Sequence, residues 1–416
     1  MGTVWATNRR RSTPRCEVLV RDETEGFKPF NLGVELSSTS LEACLGRVSA
    51  ETATGCRKVF FNLGGVRFIG INSLLFLLCC ISELKRRGVS VRLRLPEVDG
   101  RWDFDEAAQG SEEERARKAR DFLMRWEFLG ALEEAAGDYS QVLLPHQHDY
   151  FDPGLPLRFY TEGTRRNEFG EEIRLLSNDL LEIRHMTRGP MGNRAVSWDE
   201  IVKFRDEHLL YGRFLEALAK VLGREQSDLG THLANTIIME TLQNAFEHPR
   251  ASMAMIAMAR DKRNGVFVVA IADNGNTIPN TIKSRFQTSE GRMALIDKVT
   301  VEDQDRSMIE RAKGPADLDD AINKYRQDAA AISYATQHGT TRKERSGESE
   351  GKQQRIGAGL YLVKTTAMDY GGSCSIRAGS AMVTFCKENG EAIERFAAAS
   401  CWRGNLITVT LPLAVK

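Results

Sequence analysis

Apolar positions along this chain of 416 residues switch between two periods, and each switch marks an element. Lys58 to Leu63, KVFFNL, is a short apolar run that reads as a strand. Asn72 to Arg87 carries Leu74, Leu75, Leu77, Leu78 and Ile81, a broad apolar helical face closed by Gly88. Val89 to Pro96, VSVRLRLP, then alternates with the period of a strand. Strand, helix and strand with short connections predict a βαβ unit. Ahead of it, CEVLV from Cys16 is extended, Gly26, Pro29 and Gly33 mark a loop, and Ser40 to Ser49 has a helical pattern. Behind it, a charged helix over Ser111 to Ala136 keeps Phe122, Leu123, Trp126, Phe128, Leu129 and Leu132 as its apolar part.

The pattern fades from Gly137 to about Arg194, where Pro145, Pro153, Pro156 and Pro190 interrupt it. Short strands and a helix around Leu175 to Arg184 are predicted there. Periodicity returns with a helix over Trp198 to Leu222 and another capped by Ser227 or Asp228. Strands follow over Ala251 to Met258 and Gly265 to Ala272, a helix over Pro315 to Ala335 and another from Gly359. The last strands are predicted near Ser373 to Arg377, Met382 to Lys387 and Leu406 to Leu411. The chain thus divides into a tail over 1–15, an α/β unit over 16–136, a connection over 137–197 and a second α/β unit over 198–416.

One stretch carries more chemistry than its neighbours. In THLANTIIMETLQNAFEH, Thr231 to His248, the residues Glu240, Asn244 and His248 fall four apart. On a helix that spacing aligns a carboxylate, an amide and an imidazole along one stripe. Leu233, Ile237, Ile238, Leu242, Ala245 and Phe246 make the rest of the helix apolar, so the stripe needs a polar partner. Two segments offer one: VFVVAIADNG, a strand ending in Asp273-Asn274-Gly275, and RIGAGLYLVK, a Gly-rich loop opening a helix. Together they could enclose one nucleotide and one metal ion.

Composition narrows the classes. Formal net charge is zero, so no global field recruits nucleic acid or a membrane. The most apolar run, Ile69 to Ile81, is too short to span a bilayer, and no apolar signal-peptide core opens the chain. The eight cysteines show no CxxC spacing and predict buried, reduced thiols in a cytoplasmic protein. His146-Gln147-His148 could ligate a metal, but with only Asp149 beside it a loop histidine pair is the stronger reading.

The Glu-x-x-x-Asn helix, the Asp-x-Gly turn and the Gly-x-Gly loop, in that order, resemble the boxes of the GHKL ATPases, nearest to the anti-sigma-factor and sensor-kinase branch. The resemblance covers about Ile201 to Lys416. It implies an α/β sandwich with helices on one face of a mixed sheet, binding ATP and Mg²⁺. It further implies Asn244 as metal ligand, Glu240 as general base and Asp273 as acceptor for the adenine amino group, with Gly275 letting the backbone approach the base. Gly357, Gly359 and Leu360 would face the phosphates, and Arg355, where the family often has Gly, could contact a phosphate or close on the lid. His248 could approach the phosphates, or simply end its helix favourably. Asn405 stands where the family tends to have a Thr that reaches adenine through water. The second Gly of the family's Asp-x-Gly-x-Gly is Thr277 here. Residues from about 280 to 354 would be an unusually long ATP lid, with Arg342, Lys343 and Arg345 as cations for a γ-phosphate.

The N-terminal FNLGGVRFIGINSLLFLL resembles a STAS domain, the partner of anti-sigma-factor kinases. Its phosphoacceptor position holds Ile71 in Gly70-Ile71-Asn72-Ser73, so the resemblance implies protein contact without the phosphoswitch. Taken together, these features imply an ATP-hydrolysing regulatory switch with a protein partner at the STAS-like domain, and in several relatives a homodimer. A serine protein kinase and a non-hydrolysing nucleotide-sensing scaffold remain the alternatives. A sensor histidine kinase would need a different context around His185 or His208.

Overall fold

The computed structural model describes residues 24–96, 115, 119, 123, 128–137, 141–144, 164–166, 172–174, 180–187, 236–241, 244, 253–261, 264–313, 317–337 and 359–413. The N-terminal unit contains β1 (Lys28–Asn31), β2 (Glu35–Leu36), α1 (Ser38–Ala53), β3 (Lys58–Asn62), β4 (Phe68–Ile69), α2 (Ile71–Arg86), β5 (Ser90–Arg94) and α3 (Phe128–Ala136). β1, β3 and β5 form one parallel sheet, and β2 pairs with β4 in parallel. A capping box starts α1: Ser40 N donates to Ser37 Oγ, and Ser37 N donates back to Ser40 Oγ.

The next elements are β6 (Thr164–Arg166), β7 (Glu172–Arg174), β8 (Leu180–Thr187), β9 (Met253–Asp261) and β10 (Val266–Asp273). Five helices follow, α4 (Ile278–Thr281), α5 (Lys283–Thr288), α6 (Arg292–Asp297), α7 (Asp303–Lys313) and α8 (Leu318–Ala335). The chain closes with α9 (Gly359–Asp369), β11 (Ser373–Glu388) and β12 (Glu391–Pro412). A five-stranded sheet runs in the order β11-β12-β10-β9-β8, antiparallel at every described pairing.

The α/β class expected from the sequence holds. Parallel pairing is confined to the N-terminal unit, so the mixed sheet expected in the C-terminal unit is antiparallel instead. Helices were expected on one face of that sheet, but both faces are covered. Alternate residues show it. Ala254, Ile256 and Met258 of β9 join a core with Ile237, Ile238, α8 and α9, while Met255, Ala257 and Ala259 join the core of the N-terminal unit. Phe267, Val269 and Ile271 face the first core, and Ala270 and Ala272 the second.

The element between the two sheets is α2. Twelve of its sixteen residues are buried, so it has no continuous solvent face. Its large side chains, from Leu74 to Ile81, meet alanines of β9 and β10 on one side and the β1-β3-β5 sheet on the other. This explains why Ile69 to Ile81 is so apolar: the helix has two partners. The expected βαβ unit is present, with β3 and β5 joined through α2.

A buried ion pair ties the layers. Arg377 of β11 is 1 % exposed and donates from Nε to Glu42 Oε1 of α1 at 2.8 Å. Its guanidinium lies 4.1 Å from the Phe76 ring centroid. Ser400 of β12 completes the set: its N donates to Glu42 Oε2 at 2.7 Å, its Oγ donates to the same oxygen, and its O accepts from Arg377 Nη2. Trp402 Nε1 donates to Leu45 O at 3.1 Å.

Three local expectations change. The helix expected around Leu175 to Arg184 is strand β8 over its last part, because pairing with β9 outweighs its local pattern. The two strands expected near Ser373 and Met382 are one strand, bent by a bulge at Gly379 (φ 63°). Asp328 of α8 holds that bulge, accepting from Ser380 N at 2.9 Å and Ser380 Oγ at 2.7 Å. Finally, β12 begins at Glu391 rather than near Leu406. Asn389 (φ 51°) and Gly390 (φ 85°) make the tight turn between β11 and β12, and that Asn-Gly pair was the overlooked hairpin signal.

The described cysteines are all unpaired, and burial pushes the Cys44 and Cys374 thiols up to about 12. Among the described residues no helix is long and apolar enough to cross a membrane.

Candidate functional site

The site lies where the 236–241 helix, the end of β10, the middle of β12 and the start of α9 converge. Ile237, Ile238 and Met239 are buried and anchor their helix to the sheet. That packing turns Glu240 and Asn244 to a half-buried position. The helical stripe expected from the sequence is therefore present in its first two members.

Gly359 comes directly against them. A Cβ placed there would lie 2.7 Å from Glu240 Oε2 and 3.1 Å from Asn244 Nδ2. Only glycine lets the chain pass so close without displacing those groups. Asn244 Nδ2 is buried and has no hydrogen-bond partner among the described residues. An unsatisfied buried amide is costly, so its presence here calls for an explanation.

A small recess of about 10 Å³, partly open to solvent, is lined by Thr241, Asn244, Ile271, Asp273, Ile278, Asn405 and Ile407. Ile271, Ile278 and Ile407 supply apolar walls, while Asp273 and Asn405 supply a polar floor. The antiparallel register sets Asp273 directly opposite Asn405. Asp273 is 4 % exposed. Its Oδ1 accepts from Gly275 N at 2.8 Å, which shapes the turn after β10. Asn405 Nδ2 donates to Asp273 Oδ2 at 3.0 Å and to Oδ1 at 3.2 Å. Burial pushes the Asp273 carboxyl up to about 7, opposed by the donors Asn405 and Gly275 and by the charge of Arg403.

Of the expected site residues, Asn244, Asp273 and Asn405 line one recess, Gly359 comes against Glu240 and Asn244, and Gly275 forms the turn after Asp273. The Leu360 side chain is buried in the core, so what it offers a ligand is main chain. His248, Arg355 and Gly357 lie outside the described residues, as do His146, His148 and the cations Arg342, Lys343 and Arg345. Sequence reasoning missed Thr241, Ile271, Ile278 and Ile407. Two had a signal, since Ile271 and Ile407 stand two residues from Asp273 and Asn405 and share their faces of the strands.

Comparison with protein-family models, with curated proteins and with solved structures gave no match. The site is therefore argued on its own chemistry. It joins a carboxylate that can hold or take a proton, an amide with spare capacity, a buried carboxyl facing an apolar slot, and close main chain at a helix start. Among the described residues no group of three or more His, Cys, Asp or Glu could hold a metal by itself. A divalent cation here would need oxygens from a ligand as well as from Asn244, and such a partly hydrated, shared site suits Mg²⁺ with phosphates.

Of the segment from about 280 to 354, residues 280–313 and 317–337 are described and form α4 to α8. α7 packs against α1 and β12, and α8 against β11.

Proposed function

We propose that this chain is a GHKL-type ATP-binding protein that hydrolyses ATP with Mg²⁺ and acts as a regulatory switch. The observation that carries the reading is the close meeting of Gly359 with Glu240 and Asn244 above the Asp273 recess. Gly359 lies more than a hundred residues from Glu240 and Asn244 in sequence, yet the fold brings the three together. Adenine would enter between Ile271, Ile278 and Ile407, whose side chains must part to admit it, with its amino group donating to the Asp273 carboxylate. Phosphates lie toward Gly359, where main-chain N–H groups at the start of α9 face them. The Asn244 side-chain oxygen would hold Mg²⁺, which would supply positive charge against the phosphates. Glu240 orients the attacking water and accepts its proton. The apolar walls exclude bulk water from the base.

The STAS-like reading of the N-terminal unit is supported by its parallel β1-β3-β5 sheet and α2 crossover. Its α1 and α2 already meet the C-terminal sheet of the same chain. A protein partner would meet it elsewhere, at exposed Val34, which precedes β2, and at Phe68 of β4, whose N donates to Val34 O. Ser73 is 1 % exposed, so if phosphate passes to a protein the acceptor lies elsewhere than this serine.

ATP affinity and turnover of the full chain, measured beside Glu240→Ala, test the proposal. Turnover is expected to fall by about 10²-fold or more with affinity kept. A wild-type chain that binds no ATP in the presence of Mg²⁺ sinks it. Binding without turnover moves the reading to a kinase or a nucleotide sensor.

A further inference from the structure

We propose that Asn405 is a positioning residue, which holds the Asp273 carboxylate and the start of α4 in place and donates no hydrogen bond of its own to the ligand. The inference rests on the base-reading role given above to Asp273. It departs from the sequence expectation that Asn405 contacts the base.

The side chain is committed at both ends. Asn405 is 2 % exposed. Its two amide hydrogens are shared among three acceptors: Asp273 Oδ1 at 3.2 Å, Asp273 Oδ2 at 3.0 Å and Asn276 O at 3.0 Å. Its Oδ1 accepts from Ile278 N at 2.8 Å. One amide therefore joins the end of β10, the turn after it and the first residue of α4. Ile278 also lines the recess, so the same side chain sets one polar and one apolar wall.

The backbone is built to bring Asn405 there. Gly404 has φ 94°, and a Cβ on it would lie 2.1 Å from Asp273 O. Only glycine permits that approach. A hydroxyl on the same strand position has one donor and a shorter reach, so it cannot span Asp273 and Ile278 together. The charge of Arg403 of β12 also acts on Asp273, and Asp273 together with burial keeps the Cys79 thiol of α2 protonated. Asn405 is the neutral donor that fixes the carboxylate in place. Removing it leaves burial less opposed, so the carboxyl should titrate at higher pH.

Full-length Asn405→Ala and Asn405→Thr test this with two readouts. The first is the thermal midpoint followed from about pH 5 to about pH 9 without nucleotide. The second is ATP affinity by displacement of a fluorescent ATP analogue. In Asn405→Ala the pH transition is expected to move upward and ATP affinity to fall about tenfold to hundredfold. Asn405→Thr should fall between it and the wild type, and carries both readouts if the alanine variant does not fold. An unmoved pH transition overturns the proposal. If ATP affinity falls while the transition stays, Asn405 is a direct contact instead. If the wild type binds no ATP, the functional reading fails, and the pH transition alone still decides the role of Asn405.

Discussion

Two buried polar clusters lie on opposite faces of the five-stranded sheet, and they are built on different rules. On the N-terminal side, Arg377, Glu42 and Ser400 satisfy one another, and Phe76 covers the guanidinium. On the other side, Asp273 and Asn405 are paired, but Asn244 Nδ2 has no partner among the described residues and a recess opens beside it. A closed network specifies how two layers meet. A cluster with an unsatisfied member beside open space does not close in this way, and on the proposed reading it is the one that receives the nucleotide. The contrast sets a closed buried network against an open one within one sheet.

The largest effect should come from breaking the closed cluster. Glu42→Ala leaves Arg377 buried without its counter-charge and is expected to cost about 3–5 kcal/mol in urea unfolding. Pairing Glu42→Leu with Arg377→Met should recover much of that loss. A single loss below about 1 kcal/mol would mean that the network is not closed as described.

Asp273 comes next, and its sign is opposite to that of a salt-bridged carboxylate. Its folded value is raised, to about 7. The stability linked to its proton is therefore fully present below the unfolded value of about 4 and is lost as pH rises through about 7. Asp273→Asn should flatten the fall in stability over that window, by on the order of a few kcal/mol, while weakening ATP binding. Thermal midpoints across the window check it, and an unchanged slope would mean that Asp273 titrates as an ordinary carboxyl.

Gly359→Ala should have the smallest effect on stability, about 1 kcal/mol or less, since Glu240 can swing away from the new methyl group. Its effect on turnover should be large, about 10²-fold, because the carboxylate leaves its place. Equal loss in stability and turnover would make Gly359 a packing residue only.

Much of this was readable before folding. The helical stripe of Glu240 and Asn244 and the strand ending at Asp273 follow from period and turn chemistry. The start of α9 at Gly359 and the crossover through α2 are local patterns of the same kind. The strand identity of Leu180–Thr187 was not readable, because only pairing with β9 decides it. The length of β12 was hidden by its small residues, Ala397, Ala398 and Ala399, which carry little strand preference.

The sequence by itself determined which side chains are chemically equipped and which segments are apolar, since both are properties of residue type and spacing. The tertiary structure alone decided that α2 serves two sheets, that Glu42 meets Arg377 across more than three hundred residues, and that Asn405 is committed to Asp273 and Ile278. Those outcomes depend on antiparallel register and on which face of each strand meets which layer. Register is settled by the joint burial of both faces, and no local stretch of the chain contains that information.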